Sequence, residues 1–175
     1  MAVMDGLLPL KLTFGKPEKA QVLSLLDGSR VAVQKRSMEF RLWSPARKCW
    51  NKPVLDLMDK QVCAETAIVS LLSEDGWEAV WVSSNGYRSH LPRAPFCTLN
   101  AEAEAELSKV RGTKTKLTGC WDVFAFKNGT ARFVECKRKK KDSITVPQRE
   151  WLSAALKVGF TPENFLIIEW TAAEV

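Results

Sequence analysis

Residues 117–137, LTGCWDVFAFKNGTARFVECK, decide how this chain folds. Two runs rich in aromatic and β-branched residues flank Asn128-Gly129, the strongest short-range signal for a two-residue hairpin turn. With that turn, Lys127 faces Thr130 and the numbers of facing residues sum to 257, which sets Asp122 opposite Glu135. Facing residues of an antiparallel ladder project from one side, with Cβ atoms about 4.5–5.5 Å apart. Two carboxylates held so close repel, and fold stability alone would not choose that arrangement. A divalent cation between them reverses the sign, because Mg²⁺ takes carboxylate oxygens at roughly 2.0–2.1 Å. Lys137, two residues beyond Glu135, shares its face. An ammonium there can orient an attacking water and stabilise charge developing on a phosphate.

Downstream, the polar bridge KKKDSITV leads to a helix with Pro147 in its first turn and Gly159 just past its end. FLIIEW then reads as a final, largely buried strand. Upstream, KQVCAETAIVSLLSED over residues 60–75 carries Ala64, Ala67, Ile68, Leu71 and Leu72 at helical spacing, closed by Asp75-Gly76. WEAVWVSS follows as a strand. Residues 85–116 are an excursion: the loop HLPRAP, a short helix in NAEAEAELSKVR capped by Asn100, and the turn-prone RGTKTK. From residue 60 the order is therefore helix, strand, excursion, hairpin, helix, strand, a mixed α/β layer fold.

The first sixty residues read as β-rich. AQVLSLL and SRVAVQK flank Asp27-Gly28, a second two-residue hairpin signal. MEFRLWS alternates Met38, Phe40 and Leu42 with Glu39, Arg41 and Trp43, and SPARKCWNKP reads as the exit loop. The expected organisation is a small β-rich extension over 1–59, of unassigned role, before a main domain over 60–175.

Two further side chains point at the Asp122–Glu135 pair. Glu65 lies three and seven residues before Ile68 and Leu72, at the edge of the buried stripe, where a charge is costly unless paired or metal-bound. Gln148, three and four residues before Trp151 and Leu152, sits on the inward edge of its helix, within reach of the sheet.

The chain carries a net charge of +6, which favours an anionic partner. Residues 1–60 hold 11 Lys+Arg against 6 Asp+Glu, residues 61–110 hold 3 against 7, and residues 111–175 hold 12 against 7. The stretch with the carboxylate pair is thus basic, and Arg138, Lys139, Lys140 and Lys141, with Arg149 beyond them, could hold phosphates. A solvated charge run is the competing reading. Trp43 and Trp50 beside Arg41, Arg47 and Lys48 could stack on bases, although packing explains them better. His90, in the excursion, reads as surface decoration. Five separated cysteines without a CxxC pair, and a single histidine, exclude a disulfide framework and a structural zinc site. Reduced thiols point to a cytoplasmic protein. MAVMDGLLPLKLTF lacks the basic n-region of a signal peptide, and no apolar run reaches membrane-spanning length.

Asp122, twelve residues, then Glu135-Cys136-Lys137, with Glu65 on a preceding helix, resembles the PD-(D/E)xK nuclease superfamily. The stretch GCWDVFAFKNGTARFVECKRKKKDSITVPQREWLSAALKVGF is most similar to its VRR-NUC branch, where the hairpin is followed by an Asp-Ser segment (Asp142-Ser143) and a Q-x-x-W-L helix (Gln148, Trp151, Leu152). The likeness covers roughly residues 60–170. It implies a restriction-endonuclease-like mixed sheet flanked by helices. It implies Mg²⁺ or Mn²⁺ on Asp122, Glu135 and the backbone carbonyl of Cys136, with Glu65 as a further ligand or water orienter, Lys137 at the nucleophilic water and Gln148 in support. Trp121 stands where the family usually has proline, and the run Arg138–Lys141 where it often has small residues. DNA is the implied substrate, cleaved endonucleolytically and with selectivity for flaps or branches. A non-catalytic nucleic-acid-binding domain on the same scaffold is the alternative, and the sequence leaves open whether the chain is a monomer or a homodimer.

Overall fold

The computed structural model describes residues 19–49, 52–83, 86–88, 96–112 and 117–173. The start of the chain, Trp50, His90 and the rest of the HLPRAP loop lie outside them. Lys19–Ser24 (β1) and Arg30–Leu42 (β2) form the first hairpin. Its turn is one residue longer than expected: Leu25 N donates to Ser29 O at 2.9 Å, so Leu26, Asp27 and Gly28 form the loop. Gly28 takes a left-handed φ of 83°. The Asp27 carboxylate accepts from Ser29 N at 2.9 Å and Ser29 Oγ at 2.6 Å, fixing a three-residue loop rather than a two-residue one.

The segment read as an exit loop contains a small ribbon, Lys48–Cys49 (β3) paired with Lys52–Pro53 (β4). Leu55–Leu57 (β5) and Lys60–Val62 (β6) then make a hairpin that turns on Met58 and Asp59, with φ of 51° and 61°. Two adjacent non-glycine residues in the left-handed region are uncommon, so nothing in the sequence announced this turn. The first helix (α1) consequently begins at Ala64 rather than 60, and runs to Glu74. Thr66 caps it: Cys63 N donates to Thr66 Oγ1 at 3.0 Å, and Thr66 Oγ1 to Cys63 O at 3.1 Å. Glu78–Ser83 (β7), Gly86–Arg88 (β8) and Phe96–Cys97 (β9) precede the helix Ala101–Arg111 (α2), whose cap Asn100 accepts from Ala103 N at 2.8 Å as expected. Val123–Lys127 (β10) and Thr130–Arg138 (β11) are the central hairpin, followed by Val146–Lys157 (α3) and Phe165–Ala173 (β12).

These strands make one mixed ten-stranded sheet in the order β6-β5-β2-β12-β11-β10-β7-β8-β9, with β1 beside β2. β12 runs parallel to β11 and to β2, while every other pair is antiparallel. The parallel step from β11 to β12 requires a crossover, which α3 provides. β2 pairs with β12 from Gln34↔Leu166 to Arg41↔Ala173. The region set apart as an extension, 1–59, thus contributes interior strands of the same sheet in its described part. β2 covers what would otherwise be an open edge along the buried β12.

Side chains alternate across the sheet into two cores, giving three layers. Val123, Ala125, Val134 and Cys136 meet Ala67, Ile68, Leu71 and Leu72 of α1 on one face. Phe124, Phe126 and Phe133 meet Leu107 of α2 and Trp151, Leu152 and Ala155 of α3 on the other. Phe133 anchors this second core, stacked on Phe165 with ring centroids 4.9 Å apart. Among the described residues no helix is long and apolar enough to cross a membrane.

Candidate active site

The Asn128-Gly129 hairpin sets the geometry. Asn128 and Gly129 both take left-handed φ, 51° and 73°, and the ladder runs from Lys127↔Thr130 to Val123↔Val134, the register expected from the turn. Asp122 and Glu135 are the next facing positions, one step past the last paired residues. Each carboxylate accepts from the opposite backbone: Asp122 N donates to Glu135 Oε2 at 3.2 Å, and Cys136 N donates to Asp122 Oδ2 at 2.9 Å. Asp122 is fixed from the third side as well, since Val82 N donates to its carbonyl at 2.8 Å.

Lys137 and Gln148 join the pair. Glu135 is 1% exposed, and its Oε1 accepts from Gln148 Nε2 at 2.6 Å and lies 2.8 Å from Lys137 Nζ. Lys137 Nζ also donates to Gln148 Oε1 at 3.1 Å, closing a triangle. Gln148 is positioned by a second task, because its Oε1 accepts from Thr145 N at 2.9 Å and so caps α3. The first turn of α3 is thereby both a helix cap and a support for a buried carboxylate.

Two residues lock α3 against the start of β10. Trp121 is fully buried, edge-on to Phe165 at 4.8 Å, and its indole N–H donates to Gln148 O at 3.2 Å. That contact gives a physical reason for an aromatic residue ahead of Asp122. Gly119 has a φ of 82°, and a Cβ there would stand 2.3 Å from the Pro147 carbonyl oxygen. Gly119→Ala is therefore expected to destabilise the protein by about 2–3 kcal/mol, from backbone strain and collision with the helix start. Urea denaturation checks this. A midpoint equal to wild type would mean that α3 has room to shift.

Glu65 reaches the site from the other face of the sheet, in the first turn of α1, where the helix N-terminus favours an acid. It is 1% exposed and ion-paired with Lys52 of β4. Its second oxygen, Oε2, is buried without a hydrogen-bond partner. Lys52 is the participant that sequence reading missed. A lysine in an NKP loop carries no local mark, and only the fold brings it to Glu65. The electrostatics match a cluster of acids. Burial, then Glu135 and Glu65, push the Asp122 carboxyl well above its ordinary value. Burial, then Asp122, Glu65 and Glu135, raise the Cys136 thiol, and burial with Glu65 pushes Cys63 up to about 12. Lys52 moves the other way for a base: burial opposes its charge, but Glu65 and Asp122 hold it protonated well above its usual range.

Asp122, Glu135 and Glu65 suit a hard divalent cation in chemistry, being carboxylate oxygens with one buried oxygen unsatisfied. Among the described residues no three His, Cys, Asp or Glu side chains converge tightly enough to hold a metal as they stand. Lys52 takes one oxygen of Glu65, and Lys137 and Gln148 take one of Glu135.

The basic residues distribute differently. Lys139, Lys140 and Lys141 are exposed on the turn that leaves β11, closed by Arg138 N to Asp142 Oδ2 at 3.0 Å and by Lys141 N to Arg138 O at 3.0 Å. Asp142 therefore works as a turn residue. Arg149 turns toward the β1–β2 end, its guanidinium donating to Ser24 O at 3.4 Å. A scan against protein-family models, a search of curated proteins and a search of solved structures each find no match to this chain.

Proposed function

We propose that this protein is a Mg²⁺- or Mn²⁺-dependent nuclease of the PD-(D/E)xK kind, with a restriction-endonuclease-like core, hydrolysing phosphodiester bonds in DNA. The observation that carries the reading is the reciprocal bonding of Asp122 and Glu135 across the hairpin, with Lys137 and Gln148 on the same carboxylate. Structural selection alone does not account for a buried acid pair with a third acid close enough to raise Asp122. The order helix, strand, excursion, hairpin, helix, strand is the one read from the sequence.

A divalent cation on Asp122, Glu135 and Glu65 would supply Lewis-acid polarisation of the scissile phosphate and the attacking water. Lys137 presents its ammonium beside Glu135, where it orients that water and offsets charge developing on the phosphate. Gln148 fixes the direction of both side chains through its two bonds. The test is cleavage of linear, flapped, single-stranded and four-way DNA with Mg²⁺ or Mn²⁺. Cut products on at least one substrate are expected, with flapped or branched DNA preferred.

A non-catalytic nucleic-acid-binding domain is the second reading, and the incomplete convergence of the acids favours it. Binding without cleavage of any substrate, with either metal, would establish it. The exposed run contributes in both readings. If Lys139, Lys140 and Lys141 neutralise phosphates, replacing all three by Ala should make the salt dependence of duplex binding shallower by up to about three units, at about 0.9 per phosphate. The cleavage rate on saturating DNA should change less than affinity, because these charges bind ground and transition states alike. A salt titration of binding checks this, and an unchanged slope would return the run to solvated decoration.

A further inference from the structure

Among the described residues, Lys52 is the cation that the N-terminal region sends into the acid cluster. It stands on the β3–β4 ribbon, with a side chain about half exposed against a Glu65 side chain that is 2% exposed. The pair is asymmetric in exposure, and among the described residues only Glu65 Oε1 has a hydrogen-bond partner, Oε2 being buried without one. Lys52 thus meets half the demand of a carboxylate that cannot reach water. Its charge and that of Asp122 interact as well.

We infer that Lys52 is a tethered counter-cation of the acid cluster, holding Glu65 in the metal-free protein and releasing it when a divalent cation binds. The inference rests on the metal-dependent reading above. The physical argument is competition for one carboxylate. A buried acid needs a positive neighbour, and an ammonium on a flexible stem provides one without a metal. A divalent ion on Glu65 and Asp122 carries twice the charge and repels the ammonium at contact distance. Lys52 lies on a short ribbon with its side chain about half exposed, and a long, flexible lysine side chain can turn its head to water without disturbing the core. The N-terminal region would then set metal affinity as well as complete the sheet.

Calorimetric titration of the full chain with Mn²⁺ alone tests this. Lys52→Met, which keeps the stem and removes the charge, should bind Mn²⁺ about tenfold more tightly, a conservative figure for removing a half-screened like charge. Lys52→Arg should stay close to wild type. Since Lys52→Met could unfold by stranding Glu65, the wild type supplies a second readout. Acylation of lysine amines followed by mass spectrometry should show Lys52 labelled several-fold faster in saturating Mn²⁺ than without metal. Tighter Mn²⁺ binding by Lys52→Met, or metal-induced labelling of Lys52 where that variant does not fold, supports the inference. Mn²⁺ uptake by wild type with unchanged or weaker uptake by Lys52→Met, or no gain in Lys52 labelling, overturns it while leaving the metal site standing. Absence of Mn²⁺ uptake by both proteins overturns the metal-dependent reading and this inference with it.

Discussion

Asp122→Asn should abolish metal-dependent cleavage, lowering it on the order of 10³-fold or more, while the metal-free protein stays as stable as wild type or becomes slightly more so. The side chain accepts one backbone N–H, from Cys136 at 2.9 Å, and the Asn carbonyl can keep that bond. What the substitution removes is charge. Burial, then Glu135 and Glu65, hold the Asp122 carboxyl well above 3.8, so the folded state binds its proton more tightly than the unfolded chain does. The stabilising effect of that proton is present at low pH and is lost as pH rises from 3.8 through the raised folded value. At neutral pH that raised folded-state value therefore costs stability. Replacing it by Asn should raise the metal-free melting temperature by up to about 2–4 °C, with the gain shrinking on acidification. Mn²⁺ should raise the wild-type melting temperature and leave the variant nearly unmoved. Thermal melts between pH 5 and 8, with and without Mn²⁺, read all of this out. A large loss of metal-free stability would make Asp122 a structural residue, and retained cleavage would end the nuclease reading at this site.

The part of the site that was legible in the sequence is the part that depends on local geometry. Asn128-Gly129 has one favoured turn, and a fixed turn fixes the register. Asp122 and Glu135 could therefore be paired from residue numbers alone. Helical spacing placed Glu65 and Gln148 on inward edges, and Glu65 is buried while the half-buried Gln148 bonds Glu135. The readings that missed depend on contacts distant in sequence or on unusual backbone. Parallel pairing of β2 with β12 joins residues more than a hundred positions apart, and no periodicity in either strand encodes its partner. That is why 1–59 looked like an appendage. The β5–β6 hairpin turns without glycine, so its second strand merged into the helix forecast to begin at 60. Lys52 combines both difficulties, since its ribbon and its distance from Glu65 are products of that same N-terminal folding. Trp121, which departs from the proline usual in the resembled family, is explained by the indole bond to Gln148 O, a contact no motif comparison would supply.

Lys137→Ala separates structural from chemical work in one residue. Its side chain is 12% exposed and its ammonium lies 2.8 Å from a Glu135 that is 1% exposed, so deleting it leaves a buried carboxylate supported, among the described residues, by Gln148 Nε2 and Asp122 N. The metal-free variant should lose about 2–4 kcal/mol, the usual consequence of breaking a buried pair from one side. Mn²⁺ should recover much of that loss, because a cation on Glu135 supplies the positive neighbour that was removed. Turnover should not recover. The charge that Lys137 offsets develops only as the phosphate reacts, so single-turnover cleavage on saturating DNA should fall on the order of 10²–10³-fold. Affinity for DNA and its salt dependence should stay near wild type, opposite to the pattern expected when Lys139, Lys140 and Lys141 are replaced. Denaturation with and without Mn²⁺, salt titration of binding and single-turnover kinetics measure the three quantities independently. Full turnover in Lys137→Ala would remove this residue from the chemistry. A stability loss indifferent to Mn²⁺ would show that no cation shares Glu135 with it.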